Sequence, residues 1–163
     1  MSVEVIPATR ADEALLANLL ELYAHDFSEF SDAEIGDDGR FGYPHLRLYW
    51  EEEGRRAFLV KSDGRLAGFA FVMRGSRVSG DERVWDVAEF FVLRGHRGRG
   101  VGREAAHALW RAMRGGWEVR VMETNRAAAE FWARAVAAFK GAAVRPSLVE
   151  QDGVRWRVFS FES

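Results

Sequence analysis

Apolar positions recur along this chain with two periods, and the changes of period mark its elements. Val3 to Ile6 reads as a short strand stopped by Pro7. Thr9 suits a helix N-cap with Asp12 three residues on, and Leu15, Leu19, Leu22 and Tyr23 recur at helical spacing. These predict a helix from Ala11 to about Ala24. His25 to Gly39 is acidic and weakly patterned, and reads as a loop with room for a short helix; Leu46 to Glu53 is expected to form another. Ala57 to Lys61 and Leu66 to Met73 read as strands joined by a hairpin at Ser62-Asp63-Gly64-Arg65. A long apolar run, Val84 to Leu93, predicts a third strand of this group.

Beyond a glycine- and arginine-rich turn, the pattern becomes helical again. Val101, Ala105, Ala108, Leu109, Ala112 and Met113 fall on one stripe, with Arg103, Glu104, His107, Arg111 and Arg114 opposite. Gly115-Gly116 is expected to end this helix. Trp117 to Met122 reads as a strand, and Asn125 can cap a helix running to about Phe139. Val144 to Val149 and Val154 to Phe161 form a last hairpin around Asp152-Gly153. The order β-α-α-β-β-β-α-β-α-β-β predicts an α/β fold: a mixed sheet in which an antiparallel meander leads into one βαβ unit with parallel strands.

Length and composition narrow the function. The 163 residues are expected to form one domain spanning 1–163. The formal net charge is −2, so the arginines between 94 and 103 are a local feature, and nucleic acid is not an expected partner. There is no cysteine, which excludes disulfides, thiolate metal sites and a cysteine nucleophile. His25, His45, His96 and His107 show no metal-ligand spacing, so no metal is expected. The N-terminus lacks a signal-peptide pattern, and no apolar run approaches about 18 residues. A cytoplasmic location without membrane attachment is the expectation.

The turn between the long strand and the next helix carries the candidate chemistry. Gly98, Gly100 and Gly102 let backbone approach a ligand closely, and the helix that follows offers unpaired N–H groups and the positive end of its dipole. Such a turn suits a pyrophosphate. Arg94, His96, Arg97, Arg99 and Arg103 surround it. Three readings compete: a solvated connection, a dinucleotide site through Gly100-x-Gly102-x-x-Ala105, and an acyl-CoA site. A dinucleotide fold needs further βαβ units after the motif, whereas here one helix and a hairpin follow.

The frame Arg97-x-x-Gly100-x-Gly102 resembles the R/Q-x-x-G-x-G/A signature of the GNAT N-acetyltransferase superfamily. Asn125-x-x-Ala128-x-x-Phe131-Trp132 is similar to that family's downstream helix motif, with tryptophan in place of tyrosine. The resemblance implies acetyl-CoA as cosubstrate, with the backbone of Val92 and Leu93 on the pantetheine arm. The N–H groups of Gly98, Arg99, Gly100, Val101, Gly102 and Arg103 would hold the pyrophosphate. Arg97 and Arg99 would add charge, with Asn125 and Trp132 beside the cofactor. It also implies direct attack by a primary amine of a small molecule or peptide, in a monomer or homodimer. An ammonium of pKa about 10.4 must lose its proton first, so a base is needed. Asp86 lies where some members place a glutamate base. Glu89 lies in an apolar segment where burial would raise its pKa. On a regular strand the two face opposite sides unless a bulge intervenes. Tyr23, Asp26 and Glu29 are the candidate acceptor contacts, and the acidic loop around them suits a cationic acceptor such as a polyamine, an amino sugar or a basic peptide terminus. Trp132 cannot protonate a leaving thiolate as tyrosine can. That substitution keeps a non-catalytic acyl-CoA-binding module as the alternative.

Overall fold

A computed structural model describes all residues, Met1–Ser163. Strands β1 (Val3–Pro7), β2 (Arg55–Ser62), β3 (Arg65–Arg74), β4 (Trp85–Val92), β5 (Gly116–Met122), β6 (Ser147–Gln151) and β7 (Val154–Glu162) form one sheet. Its order is β1-β2-β3-β4-β5-β7-β6. The helices are α1 (Glu13–Phe27), α2 (Leu48–Glu51), α3 (Val101–Ala112) and α4 (Arg126–Lys140). The element order and the mixed sheet agree with the sequence expectation. Only β4 and β5, joined through α3, run parallel. None of the helices is long and apolar enough to cross a membrane.

Local differences have local causes. Pro7 ends β1 from inside it, which an edge strand tolerates because a missing N–H breaks no inner ladder. Helix α1 starts after a 3-10 turn at Arg10–Asp12, where the Thr9 N–H donates to Asp12 at 2.8 Å, and it absorbs His25 to Phe27. Helix α2 is only one turn, anchored by buried Tyr49, because Glu52 is already extended. Helix α3 stops at Ala112, ahead of the two glycines; Gly116 instead opens β5. His107 is not on a solvated face. It is 6% exposed, lies between Trp110 and Phe139, and donates from Nε2 to the Ala135 carbonyl at 2.8 Å. The buried arc of α3 is therefore wider than the sequence stripe, because α4 and the sheet both cover it.

Two apolar layers flank the sheet. Helices α3 and α4 cover Trp85, Val87, Trp117, Val119, Phe159 and Phe161, with Trp110 and Trp132 at the centre of the layer. On the other face α1 and α2 cover Leu59, Phe69, Phe71 and Phe91. The two halves of the sheet are joined weakly. Strands β4 and β5 pair only at Trp85↔Trp117 and Asp86↔Glu118, then separate. Just beyond, the β3–β4 register shifts: Val72 pairs Val87 and Phe71 pairs Glu89, leaving Ala88 as an extra residue. Such a bulge bends its strand and increases its twist. Phe90 then projects onto Phe131 and Trp132 of α4, at ring separations of 6.1 and 4.9 Å, filling part of the space that a neighbouring strand would otherwise occupy.

Gly68 sits where β3 crosses the last residues of β4. A Cβ there would lie 1.9 Å from the Phe91 carbonyl oxygen, a backbone atom that cannot swing aside. Gly68→Ala is therefore expected to cost about 1–3 kcal/mol, the usual range for overpacking. A urea unfolding midpoint equal to that of the parent would contradict this.

Candidate active site

Where β4 and β5 part, a cleft of about 850 Å³ opens between α1, the end of β4, the β4–α3 turn and α4. That volume suits a small-molecule or cofactor ligand. The hydrogen-bond ladder decides which β4 backbone groups face it. The Leu93 N–H donates to Ala67 at 2.8 Å, and the Leu93 carbonyl accepts from His96 at 2.8 Å. Leu93 is thus committed to β3 and to the turn, and it leaves the expected set of arm contacts. Because antiparallel pairing alternates, Phe90 and Val92 direct their N–H and C=O groups into the gap, where the Val92 carbonyl accepts from Arg97 Nε at 2.7 Å and its N–H remains. Val92 remains in the set; Phe90, which the sequence reading missed, joins it.

The β4–α3 turn presents its backbone to the cleft. The N–H groups of Gly98, Arg99, Gly100, Val101, Gly102 and Arg103 have no well-formed hydrogen-bond acceptor within the chain. Unpaired amides at a helix N-terminus, with the positive dipole end behind them, form an anion site. The three glycines serve different ends. Gly98 and Gly100 have φ of 75° and 83°, conformations that favour glycine. Gly102 has ordinary helical geometry, but a Cβ there would lie 3.1 Å from the Phe131 ring, so it lets α3 pack closely on α4. The arginines also separate. Arg94, Arg97, Arg103 and Arg134 line the cleft, whereas Arg99 is exposed, makes no ion pair and does not line it. Arg94 and Arg103, and not the expected Arg99, stand beside Arg97 at the cleft.

The acceptor-side expectations meet a mixed outcome. Tyr23, Asp26 and Glu29 all border the cleft, beside Phe27 and Phe30. Asp26 is not a free carboxylate: Arg94 lies 2.6 Å from one oxygen and Arg97 2.7 Å from the other. The two guanidinium groups hold its pKa below the ordinary carboxylate value despite partial desolvation. Asp32, Glu34, Asp37 and Asp38, also in the acidic loop, do not line the cleft. Glu21 ties the segment just after this loop to α1, accepting from the N–H groups of Phe41 at 2.8 Å and Gly42 at 3.0 Å. Nothing in the hydrophobic pattern pointed to that role.

The bulge at Ala88 places Asp86 and Glu89 on the same face of β4. Asp86 lies opposite the α3/α4-facing Trp85 and Val87, and Glu89 is two residues from Phe91, which packs toward α1. Their surroundings differ. Asp86 is 0% exposed, 3.4 Å from Arg120 Nε, and burial raises its pKa even with that partner. Fully enclosed and away from the cleft, Asp86 does not suit the expected role of base. Glu89 is partly accessible and adjoins Phe90 and Phe91, which line the cleft, although Glu89 itself does not. Its Oε1 accepts from the Tyr43 hydroxyl at 3.2 Å, and Tyr23 approaches it from α1. Burial raises the Glu89 pKa above the ordinary carboxylate value, while the two tyrosine hydroxyls oppose that rise.

Trp132 and Asn125 both line the cleft and both have a structural task. Asn125 caps α4 by accepting from the Ala128 N–H at 3.1 Å. Trp132 packs edge-on against Phe90 and Phe131. The amide cradle, the gap beside Val92 and the flanking arginines fit a linear thiol cofactor with a diphosphate. A calorimetric titration with acetyl-CoA separates the arginines. Arg97→Ala is expected to weaken binding at least roughly tenfold, as for loss of a charge-assisted contact. Arg99→Ala should stay within about twofold; a large loss there would contradict the placement.

Comparison with known proteins agrees with this geometry. The structure matches an acetyltransferase from Thermus thermophilus with a TM-score of 0.74 and 18% identity, over 100% of this chain and 98% of that chain. It matches yncA from Salmonella typhimurium, solved with its cofactor acetyl-CoA, with a TM-score of 0.62 and 16% identity over 99% and 94% of the chains. A spermidine N-acetyltransferase SpeG chimera from Vibrio cholerae and hSSAT gives a TM-score of 0.61 and 14% identity over 99% and 96%. At such identities these likenesses show the fold alone. No curated protein sequence matches significantly. The family model described as acetyltransferase (GNAT) family matches residues 16–137, from α1 through most of α4. With the amides of the β4–α3 turn opening on the gap beside Val92, this chain belongs to the GNAT acetyltransferase family.

Proposed function

We propose that this protein transfers the acetyl group of acetyl-CoA to a primary amine of a small molecule or peptide, with Glu89 receiving the proton that the amine must lose. The observation that carries the reading is the run of unpartnered amides from Gly98 to Arg103 at the head of α3, facing the gap between β4 and β5. A dinucleotide fold is disfavoured by the single βαβ unit and by the family match.

Acetyl-CoA supplies an activated acyl thioester, so the chain needs to orient, desolvate and move protons. The amides of Gly98 to Arg103, with Arg97 and Arg103, anchor the diphosphate. Phe90 and Val92 offer backbone hydrogen bonds along the gap, and Phe131 and Trp132 wall it. Glu89 removes a proton from the acceptor ammonium. A base with a raised pKa suits that transfer better than an ordinary exposed carboxylate. Tyr23 is the one hydroxyl that lines the cleft. Burial and the nearby Glu89 carboxylate raise its pKa, so it serves as a hydrogen-bond donor rather than an acid. A thiol has a pKa of about 8.5, so its thiolate is a workable leaving group; the second proton, which the nitrogen gives up as the amide forms, passes through water to that thiolate. Among the acceptor-side carboxylates Glu29 borders the cleft outside any ion pair, which supports a cationic acceptor.

Thiol release from acetyl-CoA with a panel of primary amines tests the reading. Acceptor-dependent release is expected; tight acetyl-CoA binding with no acceptor-dependent release across the panel would favour a binding module instead. With an accepted amine, Glu89→Gln should lower kcat by about 10²–10⁴-fold. The pH profile follows from the direction of the shift. Glu89 acts only when ionised, so the acidic limb of kcat/KM is expected above the ordinary carboxylate pKa of about 4.3. The Tyr43 hydroxyl favours the ionised form, and Tyr43→Phe should move that limb upward with activity recovering at higher pH. Asp86 raises the Glu89 pKa, while Arg120 and Tyr23 lower it; all three remain in the variant. An unmoved limb would remove Glu89 from the base role.

A further inference from the structure

Asp26 lies near the C-terminal end of α1 with one carboxylate oxygen on each of two arginines, 2.6 Å from Arg94 and 2.7 Å from Arg97. All three residues line the cleft beside the unpartnered amides of the β4–α3 turn. Arg97 is held in place twice more. Its Nε donates to the Val92 carbonyl at 2.7 Å, and its guanidinium carbon lies 5.5 Å from the centre of the Phe91 ring. The Asp26 carboxylate thus makes the contacts that a phosphate oxygen pair makes with guanidinium groups. A diphosphate seated on the neighbouring amides would meet these arginines with more charge than one carboxylate carries. It would also be repelled by that carboxylate if Asp26 stayed in place.

We propose that Asp26 holds the place of the coenzyme's diphosphate in the free protein, and that the coenzyme takes Arg94 and Arg97 from it on binding. The inference rests on the acetyl-CoA reading and extends it. Part of the coenzyme's interaction energy goes into breaking the Asp26 pairs, so Asp26 lowers apparent affinity. The exchange also reaches the acceptor side. Tyr23, one turn earlier on α1, packs edge-on against Phe69 and Phe91 and approaches Glu89. Once released, Asp26 becomes a second unpaired carboxylate in the cleft beside Glu29. A cationic acceptor therefore meets its full set of acidic contacts only after the coenzyme is seated.

Calorimetric titrations of the parent and Asp26→Asn with CoA, and with pantetheine at millimolar concentration, test this. Pantetheine lacks the diphosphate. Asp26→Asn is expected to bind CoA roughly two- to thirty-fold more tightly at low salt, the range for removing two competing, partly exposed ion pairs. The difference should shrink as salt is added. Pantetheine should bind both proteins equally. Equal or weaker CoA binding by the variant would overturn the proposal and make Asp26 a support that orients the arginines. Tighter binding of pantetheine as well would also overturn it, since the effect would not involve the diphosphate. If Asp26→Asn proves unfolded by its melting curve, Asp26→Ala gives the same comparison with the same expected direction. A parent protein that binds no CoA would instead defeat the functional reading itself.

Discussion

The early end of the parallel pairing between β4 and β5 is the constraint on which the site depends. Two residue pairs join the strands, and then the bulge at Ala88 bends β4 away while Phe90, Phe131 and Trp132 occupy the opening. In a continuous sheet the inward backbone groups of Phe90 and Val92 would belong to a neighbouring strand. Here they face a cleft, with Arg97 on the Val92 carbonyl. The same divergence leaves the N-terminus of α3 at the edge of that cleft, where its amides have no protein acceptor. A single departure from regular pairing thus creates together the two places proposed for the arm and the diphosphate.

The bulge also organises the other face. By shifting the alternation of β4 it brings Asp86 and Glu89 to one side, and the packing around them assigns different tasks. Asp86 is enclosed beside Arg120 in the joined part of the sheet, while Glu89 sits where the strands have parted, under the tyrosines of α1 and the following loop. Charge near the cleft is likewise organised locally. Arginines from the β4–α3 turn, α3 and α4 line it, and Asp26 and Glu29 reach in from α1 and its continuation, Asp26 as far as Arg94 and Arg97. The overall charge of −2 gives no hint of this arrangement.

Much of the architecture was legible because periodicity reports which side of an element is covered. The element order, the hairpin turns and the Asn125 cap followed from spacing and turn chemistry. The errors arose where a third element decides the outcome. His107 reads as polar on a helical wheel, but α4 closes over it. Leu93 continues an apolar run, yet the hydrogen-bond phase of the ladder assigns its backbone to β3. Gly102 sits in a phosphate-type motif, but the Phe131 ring is what makes its lack of a side chain useful. Arg99 and Arg97 are close neighbours in sequence and face different surroundings. Asp26 was visible as an acid; its partners, 68 and 71 residues away in sequence, were not. Local pattern fixes exposure within an element, whereas these assignments depend on packing and pairing between elements.

A crystal structure with acetyl-CoA tests the central claim most directly. The account predicts the diphosphate on the amides of Gly98 to Arg103 and the pantetheine arm in the gap, hydrogen-bonded to the backbone of Phe90 or Val92. Ligand bound with those amides empty, or with its arm outside the separation of β4 and β5, would contradict it.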